Sequence, residues 1–356
     1  MDIERLLIEP AHTIREAMAC IDRNAKGIAL VVDQERHLLG TVTDGDIRRA
    51  ILAGVKLDTP VSDLLARKAG SAYPRPVTAR VDTEAPELLR LMQEYSIRQL
   101  PVLNDEGRVA DLITLDKLTP DQVLPMQAVI MAGGQGSRLR PLTENLPKPM
   151  LPVGDRPLME LIIDQLRQAG IRRVNVSTHY QPEKITEYFG DGQAFGVEID
   201  YVSEDRPLGT AGALGLMKTP DEPLLVINGD ILTRLDFRAM LNYHRQHNAE
   251  LTVGVRQYDL QVPYGVIECD GPQVRRVREK PTFQFLVNAG IYLLEPSVHQ
   301  YIPGGQRFDM TDLIQRLLEN KRPVVSFPIV EYWLDIGQSA DYQKAQEDIK
   351  NGRWSA

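Results

Sequence analysis

AVIMAGGQGSRLRPLTENLPKPMLPVGDRPL, residues Ala128 to Leu158, decides how the longer part of this chain is read. An apolar run of the kind buried inside a sheet ends directly on Gly133, Gly134 and Gly136, which can offer backbone N–H groups to a triphosphate without side-chain obstruction. Arg138 and Lys148 then supply positive charge. A dinucleotide fingerprint would need glycine where Leu139 stands, and a Walker loop would need Gly-Lys-Ser/Thr after the first glycine, so this is a different phosphate loop.

Outward from this stretch, helical and strand-like segments alternate: LMELIIDQLRQAG, VNVST, PEKITEYF, VEIDYVS, AGALGLM, PLLVINGD, FRAMLNYHRQHN and ELTVGVRQY. Such alternation needs crossover connections and predicts a largely parallel sheet covered on both faces, a three-layer α/β/α, Rossmann-like domain over residues 125–356. Ligands in such sheets sit at the carboxyl ends of the strands. There VINGDIL places Asp230, a carboxylate able to hold magnesium, which takes a few oxygen ligands besides phosphates and water. A second acid, Asp335, stands near the C-terminus in WLDIG. Taken singly, each reads equally well as a turn residue or helix cap.

The glycine stretch resembles the signature of the sugar nucleotidyltransferase family, GGxGxRLxPLTxxxPKPMLPV, matched here without a gap. The resemblance implies that Arg138 binds the β- and γ-phosphates, that Lys148 holds the α-phosphate, and that Asp230 and Asp335 together bind Mg2+. REKP (Arg278 to Pro281), NAGIY (Asn288 to Tyr292) and YGVI (Tyr264 to Ile267) resemble the family's sugar-side segments. They would make Lys280 the partner of the acceptor phosphate, and Gly265, Glu279 and Asn288 contacts of the sugar. LGTAG (Leu208 to Gly212) resembles the nucleobase-side loop of mannose-1-phosphate guanylyltransferases more than the Gly-Leu-Ala-Gln-Ala form of thymidylyltransferases, which favours GTP, read by backbone around Gly209 and Thr210.

The first 120 residues carry one pattern twice: a helix, an apolar strand ending in polar turn residues, and a second strand leading into a helix, once through Ile14 to Leu52 and again through Ala85 to Leu118. They resemble a tandem pair of cystathionine-beta-synthase (CBS) domains, an α+β module over residues 1–120. In GTVTDGDI the resemblance assigns Thr43 to a phosphate and Asp46, three positions on, to ribose hydroxyls of an adenosyl ligand. The bland alternative is that Thr43 and Asp46 only cap the next helix. In the second copy, DLITLDKL sets Asp116 two residues after Thr114, which departs from the pattern. Thr119 to Pro125 reads as the linker. The module implies sensing of adenine nucleotide and assembly into a homo-oligomer. A CBS pair ahead of a nucleotidyltransferase resembles the group that activates amino sugars for surface glycans, which implies glucosamine 1-phosphate as one specific acceptor; the residues themselves stop at a sugar 1-phosphate and leave mannose, heptose and glucose 1-phosphates open.

Composition bounds the rest. At 356 residues the chain exceeds what one core usually supports, and a formal net charge of −8 gives no field to gather nucleic acid. Two distant cysteines, Cys20 and Cys269, suggest neither disulfide nor zinc site, and the six histidines do not cluster with other ligands. No run approaches the roughly 20 apolar residues of a membrane helix, and a cytoplasmic location is expected. The competing functional class is a regulatory protein that binds nucleotide without reacting; it predicts loss of a phosphate cation or a metal acid, and all four are present.

Overall fold

The computed structural model describes residues 3–68, 70, 74–118, 123–352 and 354, so most of the expected linker, residues 119–122, lies outside the described residues. Its centre is a seven-stranded sheet in the order Glu198–Ser203, Arg173–Thr178, Gln127–Met131, Leu224–Asn228, Thr282–Leu294, Leu251–Gln261, Val324–Pro328. Only Thr282–Leu294 runs antiparallel to its neighbours. The alternation of side chains along a strand builds the layers. From strand Gln127–Met131, Ala128 and Ile130 enter the core under helices Leu158–Ala169 and Phe237–Gln246, while Val129 enters the opposite core under Met310–Glu319. This is the expected three-layer α/β/α arrangement.

The carboxyl ends of the parallel strands face one edge of the sheet, and the glycine loop, the Asn228-Gly229-Asp230 turn and residues 204–212 follow directly from such ends. Glycine is required where backbones crowd. A Cβ on Gly229 would lie 2.8 Å from the Met131 carbonyl, and Gly136 has φ +61° with Thr143 and Lys148 against it.

Ahead of this sheet stand two three-stranded units built alike. Leu7–Ile8, Ile28–Val32 and Leu38–Thr43 form the first, and Ala79–Arg80, Gln99–Leu103 and Val109–Thr114 the second. In each, a short parallel strand is followed by an antiparallel pair. Leu6, Ile28, Leu30 and Val32 of the first copy share one core with Val109 and Leu112 of the second. The copies align residue by residue: Ile28 pairs with Thr43 as Gln99 pairs with Thr114, and Asp44 N–H donates to Gly27 as Leu115 N–H donates to Arg98. Lys117 therefore stands in the place of Asp46, and the second copy has a cation where the first has its acid.

The N-terminal module is joined to the large domain through buried contacts. Arg48, on helix Asp44–Leu52, ion-pairs with Glu331 at 2.6 Å, donates Nε–H to the Pro328 carbonyl, and lies 4.1 Å over the Phe327 ring. A cleft of about 680 Å³ runs along this seam, with Asp44, Arg98, Lys117, Arg234 and Asp236 among its lining.

Candidate active site

The end of the central strand opens into a pocket of about 250 Å³, lined by Gly133, Gly134, Lys148, Glu204, Gly209, Thr210, Asn228 and Asp230. Lys148 begins a short 3-10 helix after Pro147 and is buried. Its Nζ ion-pairs with Asp230. Asp335 comes from a strand more than a hundred residues away: Ile231–Thr233 and Trp333–Asp335 form a two-stranded antiparallel ribbon in which Ile231 faces Asp335. The Ile336 N–H donates to the Asp230 carbonyl at 3.0 Å and closes that end. Asp230 and Asp335 thus emerge side by side.

Local desolvation, and after it the facing Asp230 carboxylate, hold the Asp335 carboxyl above its ordinary range, while Lys148 and Arg138 act in the opposite sense. Arg138 follows the glycine loop in a 3-10 turn, and one guanidinium nitrogen is 3.8 Å from the place a Cβ on Gly337 would occupy. The fold therefore brings Arg138, Lys148, Asp230 and Asp335 close together. Asp230 Oδ1 is buried and has no hydrogen-bond partner among the described residues. Two carboxylates in mutual repulsion, one with an orphaned oxygen, form a donor set of the hard oxygen type that divalent magnesium takes. Among the described residues no group of three or more His, Cys, Asp or Glu side chains could hold a metal, so the pair would share an ion with substrate oxygens or water.

Gly209 has φ +81°, and a Cβ there would sit 2.8 Å from the Phe308 carbonyl. The Thr210 N–H donates to Asp309 Oδ1 at 3.0 Å, and the Met310 N–H to Thr210 Oγ1 at 2.9 Å. The loop is thereby pinned to the helix start at Asp309. Sequence reasoning missed Glu204, a buried acid that accepts from Ser177 Oγ–H and from the Leu208 N–H and presses against Gly133. It ties the glycine loop to the nucleobase-side loop. Its only signal was an acid at a strand end four residues before LGTAG. His179, on the loop after strand Arg173–Thr178, hydrogen-bonds the Glu204 carbonyl oxygen at 2.8 Å.

The sugar-side residues lie further out and do not line this pocket. Gly265 and Glu279 adjoin across the hairpin Val266–Asp270 and Gln273–Arg278, with Glu279 Oε2 3.1 Å from a Cβ built on Gly265. Lys280 is exposed with φ +42°. Asn288 Oδ1 accepts from the Gly290 N–H, and Gly290 packs directly on the pocket residue Asn228. In the N-terminal module Thr43 and Asp46 form a capping box; Asp46 also ion-pairs with Arg49 at 2.6 Å and Lys68 at 2.5 Å. The side chain of Asp116 is outside the described residues.

Residues 127–352 match the nucleotidyl transferase family model, and residues 2–53 and 69–119 each match the CBS domain model. The chain belongs to the nucleotidyl transferase family and carries a CBS pair ahead of that domain. It is similar to a UTP--glucose-1-phosphate uridylyltransferase of Synechocystis sp., 35% identical over 252 residues, covering 64% of this chain and 65% of the relative. It is similar also to a mannose-1-phosphate guanylyltransferase of Mycobacterium tuberculosis, 32% identical over 236 residues, covering 64% and 65%. The chain thus spans about two thirds of the length of these relatives. A crystal structure of a putative glucose-1-phosphate thymidylyltransferase from Bacillus anthracis superposes with a TM-score of 0.53 at 26% identity, covering 65% of this chain and 98% of that one. Among the described residues no helix is long and apolar enough to cross a membrane.

Proposed function

We propose that this chain joins the nucleotidyl group of a nucleoside triphosphate to a sugar 1-phosphate and releases pyrophosphate. The observation that carries the reading is the Lys148–Asp230 ion pair lining the glycine pocket, with Asp335 and Arg138 near enough for their charges to act on one another. An acceptor phosphate oxygen attacks the α-phosphorus in line; the new P–O bond forms as the bond to the β-phosphate oxygen breaks and pyrophosphate departs with the electron pair. No protein nucleophile is required, because such transfers are driven by positioning and charge neutralisation. The glycine amides and Arg138 hold the β- and γ-phosphates, Lys148 offsets charge at the α-phosphate, and Gly209 and Thr210 face the base. Asp230 and Asp335 would hold Mg2+, which when bound neutralises phosphate charge. Gly265, Glu279, Lys280 and Asn288 form the sugar side.

GTP is the proposed donor, supported by the LGTAG loop and by the guanylyltransferase among the relatives. Glucosamine 1-phosphate is the proposed acceptor. With magnesium, pyrophosphate release is expected to be greatest for GTP with glucosamine 1-phosphate when GTP, UTP, dTTP and CTP are crossed with glucosamine, mannose, heptose and glucose 1-phosphates. Silence across the whole panel would refute the reading, and a different best pair would correct only the specificity.

The first CBS copy offers a hydroxyl, a carboxylate and two cations together at Thr43, Asp46, Arg49 and Lys68, a set suited to a ribose phosphate. AMP, ADP or ATP is the proposed ligand there, and a CBS-mediated homo-oligomer in the cytoplasm the proposed setting. Calorimetric titration of the full chain with AMP should give one binding heat that Asp46→Ala removes; no heat in the unmodified chain would defeat the sensing role.

A further inference from the structure

The ribbon that carries the two acids has a second end. Its strands are three residues each, Ile231–Thr233 and Trp333–Asp335, so its ends are only about 10 Å apart at the usual rise per residue. Asp230 and Asp335 leave from one end. At the other, the Arg234 N–H donates to the Tyr332 carbonyl at 2.9 Å, and that end is held by the N-terminal module. The Tyr332 N–H donates to Asp22 Oδ1 at 3.1 Å, and Arg234 Nη1–H donates to the Asp22 carbonyl at 3.2 Å. One residue earlier, Glu331 is clamped by Arg48, both side chains nearly fully buried.

We propose that Asp22 and Arg48 of the first CBS copy are positioning residues for the metal-binding pair Asp230 and Asp335, acting through this ribbon. A docking surface alone does not need a buried ion pair at this spot, because well-packed apolar side chains join domains at least as firmly. An ion pair with directed hydrogen bonds fixes register instead. Arg48 holds three points along the segment entering the ribbon, the Phe327 ring, the Pro328 carbonyl and the Glu331 carboxylate. Asp22 grips both strands at once, one through Tyr332 and the other through Arg234. The separation of Asp230 and Asp335 follows from the pairing of these strands, so a slip at the clamped end changes the spacing of the carboxylates. Partners of metal-binding side chains commonly set affinity in this way.

The inference rests on the proposed reading that Asp230 and Asp335 hold a divalent ion, and the experiment separates the two. Mn2+ binding to the full chain is followed by electron paramagnetic resonance, beside the Mg2+ concentration needed for half-maximal pyrophosphate release. Asp22→Ala and Arg48→Met are expected to weaken Mn2+ binding on the order of tenfold, the scale of a lost outer partner, with kcat at saturating Mg2+ largely retained. Arg80→Ala, which breaks an exposed ion pair with Asp105 in the second copy, is expected to bind Mn2+ as the unmodified chain does. Where Arg48→Met does not fold, Glu331→Gln removes the same charge pair with the volume kept. Unaltered Mn2+ binding in folded Asp22→Ala together with Arg48→Met or Glu331→Gln overturns the positioning role. Unaltered binding in Asp335→Asn overturns the metal assignment itself.

Discussion

Lys148→Ala and Asp335→Asn are each expected to lower the rate of pyrophosphate release on the order of a hundredfold or more, the scale on which single electrostatic stabilisers act in a partly desolvated site. The two variants should fail differently. Lys148 is a buried cation whose nearest charge is Asp230, and its removal leaves two facing carboxylates with one balancing charge fewer. Its ammonium would meet the α-phosphate as negative charge builds there, so the loss belongs in kcat. Asp335→Asn keeps the shape of the ribbon end and removes one of the two carboxylates. Its loss belongs first in the magnesium requirement, and excess Mg2+ should restore part of the rate. Steady-state kinetics over a magnesium series, with circular dichroism to verify folding, distinguishes these patterns. Near-normal turnover of either folded variant would end the proposed assignment.

How much of this was legible beforehand depended on sequence distance. The phosphate loop was readable because a strand, three glycines and two cations occupy one continuous stretch whose spacing excludes other loops. The sheet was readable because Ala128, Val129 and Ile130 must all be buried, which only a strand covered on both faces achieves. Asp230 and Asp335 could be named from their turns, yet nothing local foretells that Ile231 pairs with Asp335. Glu204 was passed over because a strand-end acid usually faces water; its burial is visible only once Ser177 and Gly133 close around it. Arg48 is the sharpest case. In DGDIRRAIL two adjacent arginines look alike, but the helix turns Arg49 to solvent and Arg48 into the domain seam. The repeat in the first 120 residues was visible, and the strand register adds that Lys117 replaces Asp46 in the second copy.

Asp44→Asn is expected to stabilise the chain at pH 8, by on the order of 2–4 kcal/mol at most, and to do so progressively less as the pH falls toward 5. Asp44 is the first residue of the helix that also bears Asp46 and Arg48, and its side chain is buried in the seam with Oδ1 lacking a hydrogen-bond partner among the described residues. Burial is the chief cause that raises its carboxyl to about 7; Glu331 adds to the rise, Asp236 and Asp22 add further, and Arg48 opposes them. An unfolded chain titrates an aspartate near 4, so the folded state binds the proton more tightly. Below about pH 4 both states are protonated and Asp44 imposes no penalty. Between about 4 and 7 the unfolded state ionises while the folded state resists, and above about 7 the folded chain carries the full cost of a buried charge. Asparagine keeps the shape and cannot ionise, so its advantage must grow with pH across that window. Thermal melts of the full chain and of Asp44→Asn at pH 5, 6, 7 and 8 measure it. A difference in melting temperature independent of pH would mean that Asp44 stays ionised throughout, held by Arg48 more strongly than burial and three neighbouring carboxylates oppose it.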